Sequence, residues 1–509
     1  MRSRWRLHRS DCLEILLTRN RGDATPARRR VRVRGVALRG SVVCAHCVTQ
    51  ETFDVVVIGG GPVGENAAAR AVRGGLSVAL VEHERYGGEC SYWACMPSKA
   101  LLRPGNALAA ARRVPGVPVG DRLDPGPVFQ RRDAFAEHWD DGGQERWVRE
   151  TGIHPVRGHG RITGEGEVTV GDRVLRAEHA VVVCTGSVAR LPELPGLADA
   201  RPWTSREATA ASTVPGRLAV LGGGVVGVEM AQAWARLGAR VELIIRGDRP
   251  LPAFPEFAGD AVADGLRADG VTLHLGADAA DVSRVDGEVR VGLADGRRVA
   301  ADELLVATGR RPATDELGME TLGLVSGDRL DVDDSGLVRA VPGGWLYAAG
   351  DVTGRAPLTH QGKYAARVVG DVIAARASGA DVRPRPWTAY AATADHHAVP
   401  QVVFTDPEVA AVGVTGARRP EHREVEIDLA VAGSALQADG YTGRVRIVVD
   451  GERDVLVGAT LVGQDVAEMV HAATVAIVGE VPLQRLWHAV PVFPSMNEVW
   501  LRLLEELGL

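Results

Sequence analysis

Cys90 and Cys95 stand five positions apart in the segment Gly87-Gly88-Glu89-Cys90-Ser91-Tyr92-Trp93-Ala94-Cys95-Met96-Pro97-Ser98-Lys99. A pair at this spacing can close a small disulfide ring and be reopened by an electron pair. A helix predicted to begin near Cys95 turns its dipole and free N–H groups toward that sulfur, which lowers a thiol's pKa. The cationic side chain of Lys99 adds to the effect. One sulfur is then kept as a stable thiolate, and the other is free to attack a substrate. Two packing cysteines are the bland alternative. The chain has six cysteines (Cys12, Cys44, Cys47, Cys90, Cys95 and Cys184), too few for a disulfide scaffold, and no secretory signal is evident. A reducing cytoplasm is the default location. There a close pair is more often catalytic or metal-binding than structural.

Two glycine-rich turns supply a second kind of chemistry. Gly59-Gly60-Gly61-Pro62-Val63-Gly64 follows the apolar run Phe53 to Ile58 and precedes a helical pattern, Glu65 to Arg73. In such a turn Gly59 allows the tight bend, Gly61 the close approach of a pyrophosphate, and Gly64 the packing of helix on strand. The helix N-terminus then faces the phosphates. Glu82 ends the next strand, Ser77 to Val81, and can hold a ribose hydroxyl pair. The same device recurs at Gly222-Gly223-Gly224-Val225-Val226-Gly227, between Leu218–Leu221 and the helical pattern Val228 to Leu237. Its following strand, Val241 to Ile245, ends without a carboxylate; Arg246 follows, with Arg249 nearby. These arginines either meet the 2′-phosphate of NADPH or are solvated loop residues. Glu242, nearer the strand middle, is a poorer ribose ligand.

The elements that must position these groups alternate strand and helix, as in a doubly wound α/β fold. With 509 residues the chain exceeds one core. Its 45% hydrophobic and 24% charged residues are ordinary for a globular protein. A net charge of -6 gives no reason to expect a nucleic-acid partner. No apolar run is long enough to span a membrane. Arginine dominates the basic residues: of 59, only Lys99 and Lys363 are lysines, which leaves 57 arginines. Both lysines therefore draw scrutiny. Residues 1–47 differ from the rest, with twelve arginines against Asp11, Glu14 and Asp23. They read as a disordered basic arm, a targeting peptide or a spurious extension, with the first and last favoured. Cys44 and Cys47 within them form a weak metal signal or are incidental.

The cysteine segment resembles the signature of the pyridine nucleotide-disulfide oxidoreductases, the family of lipoamide dehydrogenase, glutathione reductase and mercuric reductase. Thr185-Gly186 resembles the turn closing that family's first nucleotide domain, and Ala307-Thr308-Gly309-Arg310-Arg311-Pro312 the turn leading back to it. Gly350-Asp351 resembles the pair whose Asp binds the flavin ribityl chain. Val399-Pro400, Phe404-Thr405 and Pro407-Glu408 resemble the start of a dimerisation domain. The resemblance implies two Rossmann-like domains, the FAD domain interrupted by the NAD(P) domain, and a C-terminal α+β dimerisation domain. The expected boundaries are 48–196 and 310–383 for FAD, 197–309 for NAD(P), and 384–509 for dimerisation. It implies FAD and NAD(P)H as cofactors and a homodimer. Residues on the FAD side are Gly59, Gly61, Gly64, Glu82, Gly88, Thr185, Gly186, Gly350 and Asp351. On the NAD(P) side they are Gly222, Gly224, Gly227, Arg246 and Gly309. It makes Cys90 the interchange thiol and Cys95 the charge-transfer thiol, and it pairs Lys99 with Glu229 near flavin N5.

The pattern breaks near the C-terminus. The family's His-Pro pair, with Glu five residues after the His, reaches the partner's active site and handles the thiol proton. Aligning on Glu498 puts Phe493 at the His position, with Pro494 after it. Phe cannot transfer a proton. His488, five residues upstream, either substitutes through a folded-back loop or is a surface side chain. Mercuric reductase also lacks the His but carries a further cysteine pair at its C-terminus, whereas here no cysteine follows Cys184. Tyr92 and Trp93, bulkier than the usual residues, either narrow access or stack on an aromatic substrate. The expected activity is reduction of a disulfide, lipoamide-like, by NAD(P)H through FAD and Cys90–Cys95. The alternatives are a quinone-type acceptor reduced directly from the flavin and a non-catalytic binding subunit.

Overall fold

Val55, Val56 and Val57 are fully buried and Ile58 nearly so, as a central parallel strand covered on both faces requires. In the computed structural model, which describes residues 49–509, they end the strand Thr49–Ile58. The basic segment 1–47, with Cys44 and Cys47, lies outside the described residues. Thr49–Ile58 pairs in parallel with Val78–Glu82 on one side and Arg173–Val183 on the other. The intervening helix is Pro62–Arg73. It starts three residues ahead of the expected Glu65 because Pro62, with no N–H to satisfy, sits well in a first turn behind Gly61 as N-cap.

This sheet reaches seven strands when Leu346–Ala348 joins it beside Arg173–Val183. The chain thus leaves the sheet, builds a second one, and returns. The second is parallel and four-stranded, in the order Thr272–Leu275, Arg240–Ile245, Arg217–Leu221, Glu303–Val306. Its crossover helix is Val225–Arg236, which also starts three residues early, again behind a glycine N-cap. The fully buried ring of Trp234 fills the space between this helix and its neighbours, against Phe129 and Trp203.

After the return comes the helix Thr359–Ala377, which shares a buried core with Pro62–Arg73. Pro384 and Pro386 fall in the stretch without regular structure that follows it. The last region is a five-stranded antiparallel sheet backed by Val470–Val478 and Glu498–Glu506. Among the described residues no helix is long and apolar enough to cross a membrane.

Candidate active site

The helix Cys95–Arg112 begins at the second cysteine, as the spacing predicted. Cys90 lies on the short helical turn just before it, Gly88–Tyr92. Both thiols are free and partly buried. The Cys95 sulfur lies 3.2 Å from the Thr359 hydroxyl. Hydrogen bonding from Cys90 lowers the Cys95 thiol to about 6 against the penalty of burial, helped by Thr359 and the Lys99 charge. Cys90 is pushed up, first by its bond to Cys95 and then by burial. The pair is therefore asymmetric: one thiolate is held at Cys95 and one thiol at Cys90.

One turn into the same helix, Lys99 Nζ donates to Glu229 Oε2 at 2.7 Å. Glu229 is 3% exposed, and its other oxygen accepts the Phe404 N–H at 2.9 Å. The Lys99 ammonium also lies 4.9 Å from the Phe404 ring centroid. The predicted pair is thus formed between the redox helix and the crossover helix of the second nucleotide unit.

The first glycine turn lines a cleft that also takes in Glu82, Gly88, Cys90, Thr185, Gly186, Asp351 and Thr359. Gly59 adopts φ 104, where a side chain would run into the Cys184 carbonyl. Gly64 lies so close to the Gly59 carbonyl that no Cβ fits between helix and strand. Gly88 faces Gly61, and a Cβ on it would stand 2.8 Å from the Gly61 Cα. The cleft floor is therefore bare backbone. Glu82 accepts the Gly60 N–H at 2.8 Å and the Glu84 N–H at 2.7 Å. Burial opposes its charge, but His83 and these two N–H groups hold its pKa below the usual value. Asp351 accepts the Ser187 hydroxyl at 2.6 Å. Thr185 donates to the Ala313 carbonyl at 2.6 Å and so ties the closing turn to the returning chain. A phosphate-accepting floor, an ionised carboxylate at a strand end and a second acid on the far side fit FAD.

The second glycine turn repeats this geometry. Gly222 has φ 118 and Gly227 abuts the Gly222 carbonyl, while the space at Gly224 is open. Gly222 and Gly224, with Arg246, Arg249 and Gly309, line another cleft. Arg246 is exposed, and the buried Nε of Arg249 has no hydrogen-bond partner. Such an arrangement fits NAD(P)H, with Gly309 N-terminal to the strand that leads back toward the FAD cleft.

Tyr92 and Trp93 are buried, and Trp93 lines the first cleft together with Cys90. Trp93 is held between the guanidinium groups of Arg206, 4.1 Å from its ring centroid, and Arg85, at 5.0 Å. Arg206 also pairs with Glu84 and Glu89. Neither Arg206 nor Thr359 is marked in the sequence, since each contacts the cysteine segment only through the fold. His488 is exposed on the turn after Leu483–Leu486, and Glu498 opens the last helix with Oε2 buried and unpartnered. Phe493 is 72% exposed between them. Within one chain this segment contributes nothing to the cysteine pair.

The model of the pyridine nucleotide-disulphide oxidoreductase family matches residues 53–379, and that of its dimerisation domain matches 399–503. The chain is 32% identical over 465 residues to a dihydrolipoyl dehydrogenase of Haloferax volcanii, covering 87% of this chain and 94% of that protein. It is 32% identical over 467 residues to a mercuric reductase of Acidithiobacillus ferrooxidans, covering 88% and 81%. Among solved structures, the HOCl-induced flavoprotein disulfide reductase of Escherichia coli has the same fold, with a TM-score of 0.76 at 24% identity over 89% of this chain and 99% of that one. LpdA of Mycobacterium tuberculosis superposes with a TM-score of 0.74 at 26% identity, covering 90% and 100%. The glycine clefts, the asymmetric cysteine pair and the two matching family models agree: this chain belongs to the pyridine nucleotide-disulphide oxidoreductases and is an FAD-dependent NAD(P)H-disulfide oxidoreductase.

Proposed function

We propose that the enzyme reduces a disulfide substrate through Cys90 and Cys95, in the manner of a dihydrolipoyl dehydrogenase. The observation that carries this reading is the division of labour between the sulfurs, a low-pKa Cys95 beside Thr359 and a protonated Cys90. When bound, FAD supplies the route by which the hydride pair of NAD(P)H reaches the cysteine disulfide. Opening that disulfide leaves Cys95 as thiolate and Cys90 able to attack. Cys90 bonds to one substrate sulfur and expels the other as a thiol. Cys95 then attacks Cys90, which reforms the ring and releases the second thiol. Lys99 and Glu229 hold the redox helix against the second nucleotide unit. The buried position of Glu229 supports a fixed ammonium there. The test is NAD(P)H-driven disulfide reduction by Cys90→Ser and Cys95→Ser. Both should lose it, and retention in either defeats the proposal.

The sheet order supports FAD units at 48–196 and 310–383, an NAD(P) unit at 197–309 and a dimerisation unit at 384–509. Arg246 and Arg249 support NADPH over NADH. The exposed strip Trp487, Val490, Val492 and Phe493 supports a homodimer whose second copy covers it. The reduced cysteine chemistry supports a cytoplasmic location. Phe493 favours a second reading, because a quinone-type acceptor needs no proton-handling base where Phe stands. Robust quinone turnover surviving Cys90→Ser would select it.

A further inference from the structure

Cys90 sits in the middle of a helical turn of only five residues, Gly88–Tyr92. A helix that short does not hold itself in water. Its N-cap, Gly87, offers no side chain to close the first turn. Contacts from outside must therefore fix it, and on both sides of Cys90 they come from one element. That element is the helix Ser205–Ala210, which precedes the second glycine turn. Arg206 Nε donates to Glu89 Oε1, one residue before Cys90. The same guanidinium covers the Trp93 ring at 4.1 Å, three residues after Cys90. One turn further along, Thr209 Oγ1 donates to the Trp93 carbonyl at 2.9 Å. Side chain and main chain of the residue that ends the Cys90 turn are thus gripped together.

The gripping helix is itself fixed. Thr204 and Glu207 close a capping box at its N-terminus. At its other end the fully buried Arg132 donates to the Thr209 and Ala211 carbonyls. Arg206 is also held by Glu84, whose Oε2 accepts from Nη1 at 3.0 Å. Burial opposes the Arg206 charge, but Glu89 and then Glu84 outweigh it and raise the guanidinium above its usual value. On the other side of the contact, Glu89 Oε2 is buried without a hydrogen bond, 3.8 Å from Arg310 Nη2. Losing Arg206 would leave this carboxylate desolvated one residue from Cys90, and such a group moves toward water.

We propose that Arg206 is a positioning residue for the redox pair: by gripping Glu89 and Trp93 on either side of Cys90, it holds the turn where the Cys90 sulfur meets Cys95. The inference rests on Cys90 and Cys95 being the working disulfide. Arg206 enters no bond change. It keeps one thiol at high effective concentration beside the other, which stabilises the closed ring against the open dithiol. The hydrogen bond from Cys90 that leads the lowering of the Cys95 thiol needs the same geometry.

Two readouts on the holoenzyme test it, each taken per bound flavin. One is the midpoint potential of the cysteine couple, from equilibration with a thiol–disulfide buffer. The other is the pH midpoint for alkylation of Cys95 by iodoacetamide. Arg206→Met should weaken ring closure about tenfold, a rise of about 30 mV for a two-electron couple. Its Cys95 midpoint should move to higher pH. Trp93→Leu, which removes the other half of the grip, should move both readouts the same way. Arg206→Lys keeps a charge for Glu89 but no flat face for Trp93, and should fall between wild type and Arg206→Met. Adding Glu89→Gln to Arg206→Met should shift the potential no further, since both changes break one contact. A helix that only supports the fold would lower Tm and flavin content in these variants and leave both readouts at their wild-type values. That result, or shifts that add in the double variant, overturns the positioning role while the cysteine mechanism stands. A wild-type enzyme that shows no cysteine couple overturns both.

Discussion

Cys95 and Thr359 make the most local claim. With the Cys95 thiol at about 6, its thiolate persists at neutral pH and is lost as pH falls through that value. Alkylation of the reduced enzyme by iodoacetamide at Cys95 should follow that midpoint. Thr359→Ala removes one hydrogen bond to a charged sulfur and should raise it by roughly one to two pH units. An unmoved midpoint would show that Thr359 is only a neighbour. Glu65 titrates in the opposite sense. Burial raises its folded pKa from 4.5 to about 8. The stability it permits is complete below the ordinary carboxylate value and is lost as pH rises through about 8. Glu65→Gln, which cannot ionise, should therefore flatten the fall in Tm between about pH 5 and pH 9, with a gain of a few kcal/mol at the alkaline end. Cys90, Cys95 and Lys99 were legible in the sequence because their spacing is local, and the Lys99–Glu229 pair because the cysteine segment and the second glycine motif resemble those of a known family. Thr359 and Glu65 were not, since their partners are distant in the chain and only packing brings them together.

The glycine turns show which features of an element can be read from sequence and which cannot. Gly64 and Gly227 stand where a Cβ would strike the carbonyl of the first glycine in each motif, so the two turns are the same device built twice. Gly227→Ala should cost NAD(P)H affinity while the protein keeps its FAD, as read by flavin absorbance and by nucleotide titration. Equal loss of both would mean that the two units do not fold separately. Replacing Arg246 and Arg249 with Ala should reduce the preference for NADPH over NADH by roughly tenfold or more. Both crossover helices begin three residues earlier than the apolar periodicity suggested, because capping glycines and first-turn residues carry no periodic signal. The burial of Tyr92 and Trp93 was equally hidden, as the arginines that enclose Trp93 come from separate elements.

In the whole molecule, the C-terminal segment keeps Val490, Val492 and Phe493 exposed and leaves an oxygen of Glu498 buried without a partner. These are the marks of a surface completed by a second copy. Sedimentation should give a dimer, and Phe493→Arg should weaken it. A monomer at micromolar concentration would remove the basis for any shared site. The interrupted order of the sheets was visible in the sequence through the repeated glycine motif and the returning turn at Gly309. The fate of His488 was not, because one chain alone does not decide what a partner's segment meets. The central claim is that Cys90 and Cys95 store electrons in use. It is tested most directly by anaerobic titration of the purified enzyme with NADPH while the visible spectrum is recorded. The account predicts a long-wavelength band and electron uptake beyond the pair that a flavin alone accepts, both lost in Cys95→Ser. Simple bleaching, complete at one pair per flavin in the wild type, would contradict it.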